Sequence, residues 1–217
     1  MSLDEQKKHA AARAADLVQR GMLVGLGTGS TVQFLLDELA RGDRGARYVA
    51  TSPHTEHEAR RRGLDVTTFD GWSSLDLAID GADQVAPDGW LVKGAGGALT
   101  REKIVASAAT RFIVIVDESK LVDALHPPVP VELLEFGIEA TLTHLAPLRV
   151  RDGARSPDGG VLGDYFGAID SPVALAHWLA GHTGVVEHGL FAPALVDTIL
   201  VGANVELHPP LNGDEPS

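Results

Sequence analysis

The chain contains no cysteine, which excludes disulfides, thiolate catalysis and cysteine-ligated metals together. It also has no apolar run of the roughly 18 residues that a membrane-spanning helix needs. The opening MSLDEQKK carries charge from the start and lacks the apolar core of a signal peptide, so a cytoplasmic protein is expected. Positive charge is in deficit. The net charge is −12, which argues against a nucleic-acid partner, because such binding needs a basic face. Lysine is scarcer still: Lys7, Lys8, Lys93, Lys103 and Lys120 stand against thirteen arginines. Where arginine is the default surface cation, each lysine raises the question of a site that needs a compact, mobile ammonium rather than a planar fork.

What the 217 residues do contain is ordinary globular material, with 44% hydrophobic residues, enough for one large domain or a medium domain with a satellite. Residues 4–20 read as a helix capped by Asp4 and stopped at Gly21, and MLVGLG (22–27) as a buried strand. Ser30 and Gln33 have the spacing of a capping box, so a helix is expected from Ser30 to about Arg41. RYVAT, DVTTF, LDLAI and RFIVIV read as strands. TEHEARRRG reads as a short helix, and GALTREKIVASAATR as a longer one that Thr100 can cap. Apolar strands alternating with helices predict a mainly parallel, Rossmann-like α/β sheet with helices on both faces. The prolines of LHPPVPVE mark a change of character. Strand, helix, two strands, helix (172–180) and strand follow, a small α+β unit. LVDTILVGANVEL is expected to return to the first sheet as one strand, and the tail HPPLNGDEPS to fray. The domains expected are thus 1–127 with 196–217, and 128–195.

The stretch LVGLGTGST puts Gly25, Gly27 and Gly29 between a strand and a helix. A helix N-terminus offers unpaired N–H groups to an anion, and glycines let it approach. The spacing fits neither a dinucleotide fingerprint nor a P-loop, which leaves a site for a small phosphate with the Ser30 and Thr31 hydroxyls as donors. In IDGADQV, Asp80 falls at a strand's C-terminal end, where open α/β sheets bind ligands, and Asp83 can face the same cleft. In VKGAGGALTREK, Lys93 precedes four small residues, and Glu102 follows in the first turn or so of a helix. Each piece alone has an ordinary explanation as a turn or a solvated helix end. Together they suit proton transfer on a sugar phosphate, with a carboxylate base, Glu102, and a cation, Lys93, for the enediolate oxygen. A Schiff-base lysine at Lys93 and a metal held by Asp80 and Asp83 are the weaker chemical alternatives. His54 and His57 have a spacing that can pair on a metal but fit a solvated helix face better.

The motifs GLGTGST, TSPHTE, DGAD, KGAGGALTREK, VDESK, PVPVE and GVVEHGLF, in this order from residue 4 to about 207, resemble the type A ribose-5-phosphate isomerases. The resemblance implies an aldose–ketose isomerase that interconverts D-ribose 5-phosphate and D-ribulose 5-phosphate through a cis-enediolate, in the non-oxidative pentose phosphate pathway, with no cofactor and no metal. It places the base at Glu102, with Asp80 opening the ring and moving the hydroxyl proton, and Lys93 beside them. It implies substrate contacts at Thr28, Gly29, Ser30, Thr31, Gly81, Ala82, Asp83, Gly94, Ala95, Gly96 and Lys120. A phosphate-contacting lysine falls on Lys7, with Lys8 as the alternative. It further implies a ferredoxin-like small domain and a homodimer or homotetramer. A non-catalytic sugar-phosphate sensor of the same fold is the rival reading. The sequence departs from the family pattern at Gln84, where the family has Glu, at Ala95, where it has Gly, and in the looser SPDGGVLGD segment. Whether His188 of GVVEHGLF reaches the cleft is left open.

Overall fold

A computed structural model describes residues 1–42, 44–203 and 205–209. Positions 43, 204 and 210–217, the last being most of the tail expected to fray, lie outside the described residues. The first helix, α1 (Leu3–Ala15), begins one residue earlier than expected. Ser2 caps it, accepting from the Glu5 N–H while the Glu5 carboxylate accepts from the Ser2 N–H. This is a true capping box, and it leaves Asp4 inside the first turn. The helix buries an alanine face (Ala10, Ala11, Ala14, Ala15), whose small side chains let it lie close to the sheet.

The chain continues through β1 (Leu23–Leu26), α2 (Ser30–Ala40), β2 (Arg47–Ala50), α3 (Pro53–Arg61), β3 (Leu77–Asp80), β4 (Gln84–Val85), β5 (Leu91–Val92), α4 (Leu99–Ala108) and β6 (Phe112–Val116). It then forms β7 (Val129–Leu133), α5 (Ile138–His144), β8 (Leu148–Arg155), β9 (Val161–Tyr165), α6 (Pro172–Ala180) and β10 (Val185–His188). It ends with β11 (Leu190–Phe191), β12 (Thr198–Val201) and β13 (Val205–Leu207). The main sheet has the order β13-β12-β6-β3-β1-β2 and is parallel except for β13 at its edge. Every residue of β1, β3, β6 and β12 is buried, as expected of strands covered on both faces. One core, with Leu26, Leu35, Ile79 and Ile115, fills the face under α1 and α2. A second, with Val105, Phe112, Val114 and Phe191, fills the other.

A four-stranded antiparallel sheet, β10-β7-β9-β8, carries α5 and α6 in a β-α-β-β-α-β succession, around Val131, Leu133, Leu145 and Leu179. A third sheet, β11-β5-β4, was not expected. Its strands are two residues each, too short for any periodicity to register. It matters because β5 delivers Lys93.

Three expectations are corrected. DVTTF is not a strand: Val66 makes a single bridge to Tyr48 before the chain turns away. LVDTILVGANVEL is not one strand but a hairpin, because Gly202 turns at φ +53° between β12 and β13. Thr100 does not cap α4. Ala98 occupies that position, and the Thr100 hydroxyl donates to buried Glu132 instead. Among the described residues no helix is long and apolar enough to cross a membrane.

The turn after β1 is held by a close approach that tolerates no side chain. A Cβ on Gly27 would overlap the Asp80 carboxylate. Gly27→Ala is therefore expected to lose about 1–3 kcal/mol of stability, the usual range for overpacking, measured by urea unfolding. A variant as stable as the parent would mean that Asp80 can retreat freely.

Candidate active site

The C-terminal ends of β1 and β3, the loop after β5 and the start of α4 converge on one open cleft. It is lined by residues 28–32, 81–83 and 93–96 with Glu102 and Lys120, at the sheet edge where open α/β folds bind ligands.

The phosphate-sized end is the N-terminus of α2. Gly29 is its N-cap, with φ +143°, and no side chain caps the helix. The expected Ser30–Gln33 capping box does not form. Gln33 is drawn sideways, accepting from Arg62 at 3.3 Å. The first N–H groups of α2 are thereby left for a ligand. Thr28 is fixed from behind by a hydroxyl cluster. Its Oγ1 lies 3.0 Å from Thr51 Oγ1, 2.9 Å from Ser52 Oγ and 3.2 Å from Thr55 Oγ1, and Thr55 donates to the Gly27 carbonyl at 2.9 Å. Thr51, Ser52 and Thr55 thus support the site without lining it.

The other end is a buried chain of three ionisable groups. Lys93 Nζ donates to Asp80 Oδ2 at 2.8 Å and to the Gly81 carbonyl at 2.5 Å. It also lies 3.1 Å from Glu102 Oε2, an ion pair without hydrogen-bond geometry, so that this oxygen has no hydrogen-bond partner. Asp80, Lys93 and Glu102 are 3%, 2% and 4% exposed. One ammonium therefore serves two carboxylates. Burial opposes the charge on Lys93, but Asp80 and then Glu102 outweigh it and keep the amine protonated above its ordinary range. Burial, then the negative Asp80, pushes Glu102 up to about 8 against the pull of Lys93. Asp80 is also raised by burial, yet it accepts from Thr28 N at 3.1 Å and Gly81 N at 2.7 Å as well as from Lys93. The carboxylate with more donors keeps its charge more readily, and Glu102 is the group that holds a proton.

The 93–97 loop takes its shape from two glycines. Gly94 (φ +106°) and Gly97 (φ +79°) carry the left-handed positions, and no non-glycine residue has positive φ among those described. Ala95 is thus tolerated. Its N–H donates to Asp83 Oδ2 at 2.9 Å.

The structure separates the expected residues into two groups. Thr28, Gly29, Ser30, Thr31, Gly81, Ala82, Asp83, Lys93, Gly94, Ala95, Gly96, Glu102 and Lys120 line the cleft together. Asp80 does not line it; it sits behind Lys93 with its oxygens engaged. Lys7 also falls outside the lining, its ammonium 3.5 Å from Asp4 and 4.0 Å from Asp117. His188 is buried beside Lys103, 3.4 Å from its ammonium, held down to about 4 by burial and that charge, and does not line the cleft. His54 and His57 are exposed on α3. Gln84 turns away from the cleft. Its amide donates to the His126 carbonyl at 2.8 Å and accepts from the His126 N–H at 2.9 Å, a pairing in which a carboxylate would face the carbonyl.

A helix terminus free for a phosphate, beside a buried carboxyl–ammonium pair, has the chemistry of an enzyme that transfers protons on a phosphorylated substrate. Comparisons with known proteins show the family. Residues 47–206 match the family described as ribose 5-phosphate isomerase A (phosphoriboisomerase A). The chain is 42% identical to ribose-5-phosphate isomerase A of Rhodopseudomonas palustris (strain HaA2), over 94% of this chain and 97% of that one. It is 43% identical to the protein of that name from Caulobacter vibrioides (strain NA1000 / CB15N), over 94% and 96%. The crystal structure of ribose 5 phosphate isomerase A from Neisseria gonorrhoeae superposes with a TM-score of 0.90 at 33% identity, over 97% of this chain and 99% of that one. A D-ribose-5-phosphate isomerase in complex with phospho-erythronic acid gives 0.88 at 34%, over 96% and 100%. The chain belongs to the ribose 5-phosphate isomerase A family.

Glu102 also sets a pH dependence of stability. Its proton affinity is raised on folding from the ordinary 4.5 to about 8. The stability it contributes is therefore fully present below about 4.5 and is lost as pH rises through about 8. Glu102→Gln, which cannot ionise, is expected to gain stability relative to the parent as pH rises across that window. Parallel melting-temperature profiles for the two proteins would contradict the assignment.

Proposed function

We propose that this protein interconverts D-ribose 5-phosphate and D-ribulose 5-phosphate by proton transfer through a cis-enediolate. The carrying observation is the contact of Glu102 with Lys93 at 3.1 Å in the same cleft as the uncapped start of α2. In this reading the phosphate rests on the N–H groups of residues 29–31, with Lys120 as its cation. Glu102, once ionised, removes the proton from C2 of the open-chain aldose. Its raised affinity makes it a stronger base than an ordinary carboxylate. The charge that develops on O1 is met by the Lys93 ammonium, a fixed donor in a site shielded from water. The proton shared between O1 and O2 passes by way of Asp83, the aspartate that lines the cleft, and Glu102 returns its proton to C1. Ring opening belongs to the same carboxylate. Asp80 acts through Lys93, holding it in place and charged.

Two rival readings lose support. A Schiff base needs a neutral amine, whereas Lys93 is held protonated by two carboxylates. A sensor that only binds sugar phosphate has no use for a buried carboxyl with a raised proton affinity. A homodimer or homotetramer in the cytoplasm completes the proposal. Leu134 and Phe136, 55% and 96% exposed, are apolar surface that self-association would cover.

Glu102→Gln is expected to lower kcat by about 10²–10⁴-fold, the scale of a general base, with the fold retained. A coupled assay following ribulose 5-phosphate tests this, and near-parental turnover would reject the base. Phospho-erythronic acid, which combines a phosphate with a carboxylate at the reacting end, is expected to inhibit competitively against ribose 5-phosphate. Noncompetitive inhibition, or none, would count against a substrate lying between α2 and Glu102.

A further inference from the structure

The loop after β5 is gripped from outside the main sheet. Arg151, on β8, donates through one terminal nitrogen to the Gly94 carbonyl at 3.2 Å and the Ala95 carbonyl at 3.1 Å. Its Nε and second terminal nitrogen bind Asp164, on β9, at 2.8 and 2.7 Å. This bidentate pair orients the planar guanidinium. Arg151 occupies the stretch of β8 where the register with β9 shifts, which frees its side chain to reach across. Both partners are mostly buried, with side chains 18% and 21% exposed.

In a trans peptide the C=O and the following N–H point in opposite directions. Turning the Gly94 carbonyl toward Arg151 sends the Ala95 N–H the other way, and that N–H meets Asp83 on the cleft wall. The Ala95 carbonyl is turned the same way, so the Gly96 N–H points to the same side. Gly96 is exposed and lines the cleft next to Lys93, and none of the described hydrogen bonds uses its N–H.

We propose that Arg151, oriented by Asp164, is a positioning residue for the reaction. It fixes two peptide planes of the 94–97 loop so that the Gly96 N–H joins the Lys93 ammonium in binding the developing enediolate oxygen. The guanidinium touches no substrate. It acts by preventing the peptides from rotating and presenting carbonyl oxygens to a negative charge. This inference rests on the isomerase reading above, and its test separates the two.

The experiment is steady-state kinetics on the full chain with ribose 5-phosphate, comparing the parent with Arg151→Ala, Arg151→Lys and Asp164→Asn. A donor lost from an oxyanion site costs about 10²–10³-fold in kcat. A loosened one should cost less, so Arg151→Ala is expected to lose ~10–100-fold in kcat with KM changed less than ~3-fold, the pattern of an interaction made chiefly in the transition state. Arg151→Lys, which cannot bind Asp164 bidentately and both carbonyls, should fall between. Added guanidinium ion at low millimolar concentration should restore part of kcat to Arg151→Ala and none to the parent. A folded Arg151→Ala with kcat within about twofold of the parent, or with only KM raised, overturns the proposal. If that variant does not fold, Asp164→Asn decides. A several-fold loss of kcat at constant KM supports the clamp, and parental kcat overturns it. An inactive parent defeats the isomerase reading and the clamp with it, whereas an active parent with an indifferent Arg151 defeats the clamp alone.

Discussion

The site depends on one buried ammonium placed between two buried carboxylates. Lys93 reaches Asp80 at 2.8 Å and Glu102 at 3.1 Å, and all three groups are almost out of contact with water. Burying charges is costly unless they are paired, and here the pairing is uneven by one negative charge. That imbalance gives each group its character. Lys93 stays a cation, Asp80 keeps its charge through its extra donors, and Glu102 holds a proton it can give up near neutral pH. Much of the surrounding backbone is arranged to make room for this chain. Gly27 leaves space for the Asp80 carboxylate, and Gly189 leaves space for the Lys93 carbonyl. The Lys93 N–H donates to the Gly189 carbonyl at 2.8 Å, so the short β11-β5-β4 sheet holds the lysine by its main chain.

A protein with net charge −12 must still attract a doubly charged sugar phosphate. On the proposed reading it does so locally rather than by its overall field. Carboxylates elsewhere on the surface are largely screened beyond a Debye length of about 8–10 Å, whereas unpaired N–H groups at a helix start act at contact distance. Leaving α2 with Gly29 as its N-cap and no side-chain cap forgoes only about a few tenths of a kcal/mol of helix stability. Binding recovers this when an anion takes the cap's place. The hydroxyl cluster around Thr28 keeps the turn rigid without occupying the donors.

The main sheet and most of its helices were legible because strands buried on both faces read as short continuous apolar runs, and caps, glycines and turn residues mark where helices begin and end. The convergence of Glu102, Lys93, Asp83 and the 28–31 turn on one cleft was legible too, since charged and glycine-rich residues at strand ends have few structural explanations in combination. The misses have physical causes. The two-residue strands β4, β5 and β11 are too short to carry a period. Ser30 and Gln33 have capping-box spacing, but Arg62 on a neighbouring element competes for Gln33, which no local pattern reveals. Asp80 and Asp83 look equivalent in IDGADQV. Only the fold shows that one points beneath Lys93 and the other into the cleft. Arg151 gave no signal at all, because an arginine on a largely exposed strand is ordinary until a register shift aims it at a distant loop.

A reversible isomerisation makes a demand that an ordinary carboxylate meets poorly. The group that takes the proton from C2 must hand the same proton to C1, so it needs to be competent both as base and as conjugate acid. A carboxyl in its usual range is a weak base toward carbon, although its acid form is a ready donor. Raising its proton affinity improves the first step and weakens the second, and the best compromise lies near the working pH. Burial and the charge of Asp80 both raise the proton affinity of Glu102. Lys93 pulls it back, and Asp80 limits how far by sharing the same cation. The balance is set by distances within one rigid chain of contacts. That explains why the three groups lie on separate elements (β3, the end of β5 and the first turn of α4), each anchored by backbone hydrogen bonds and not by the side chains themselves.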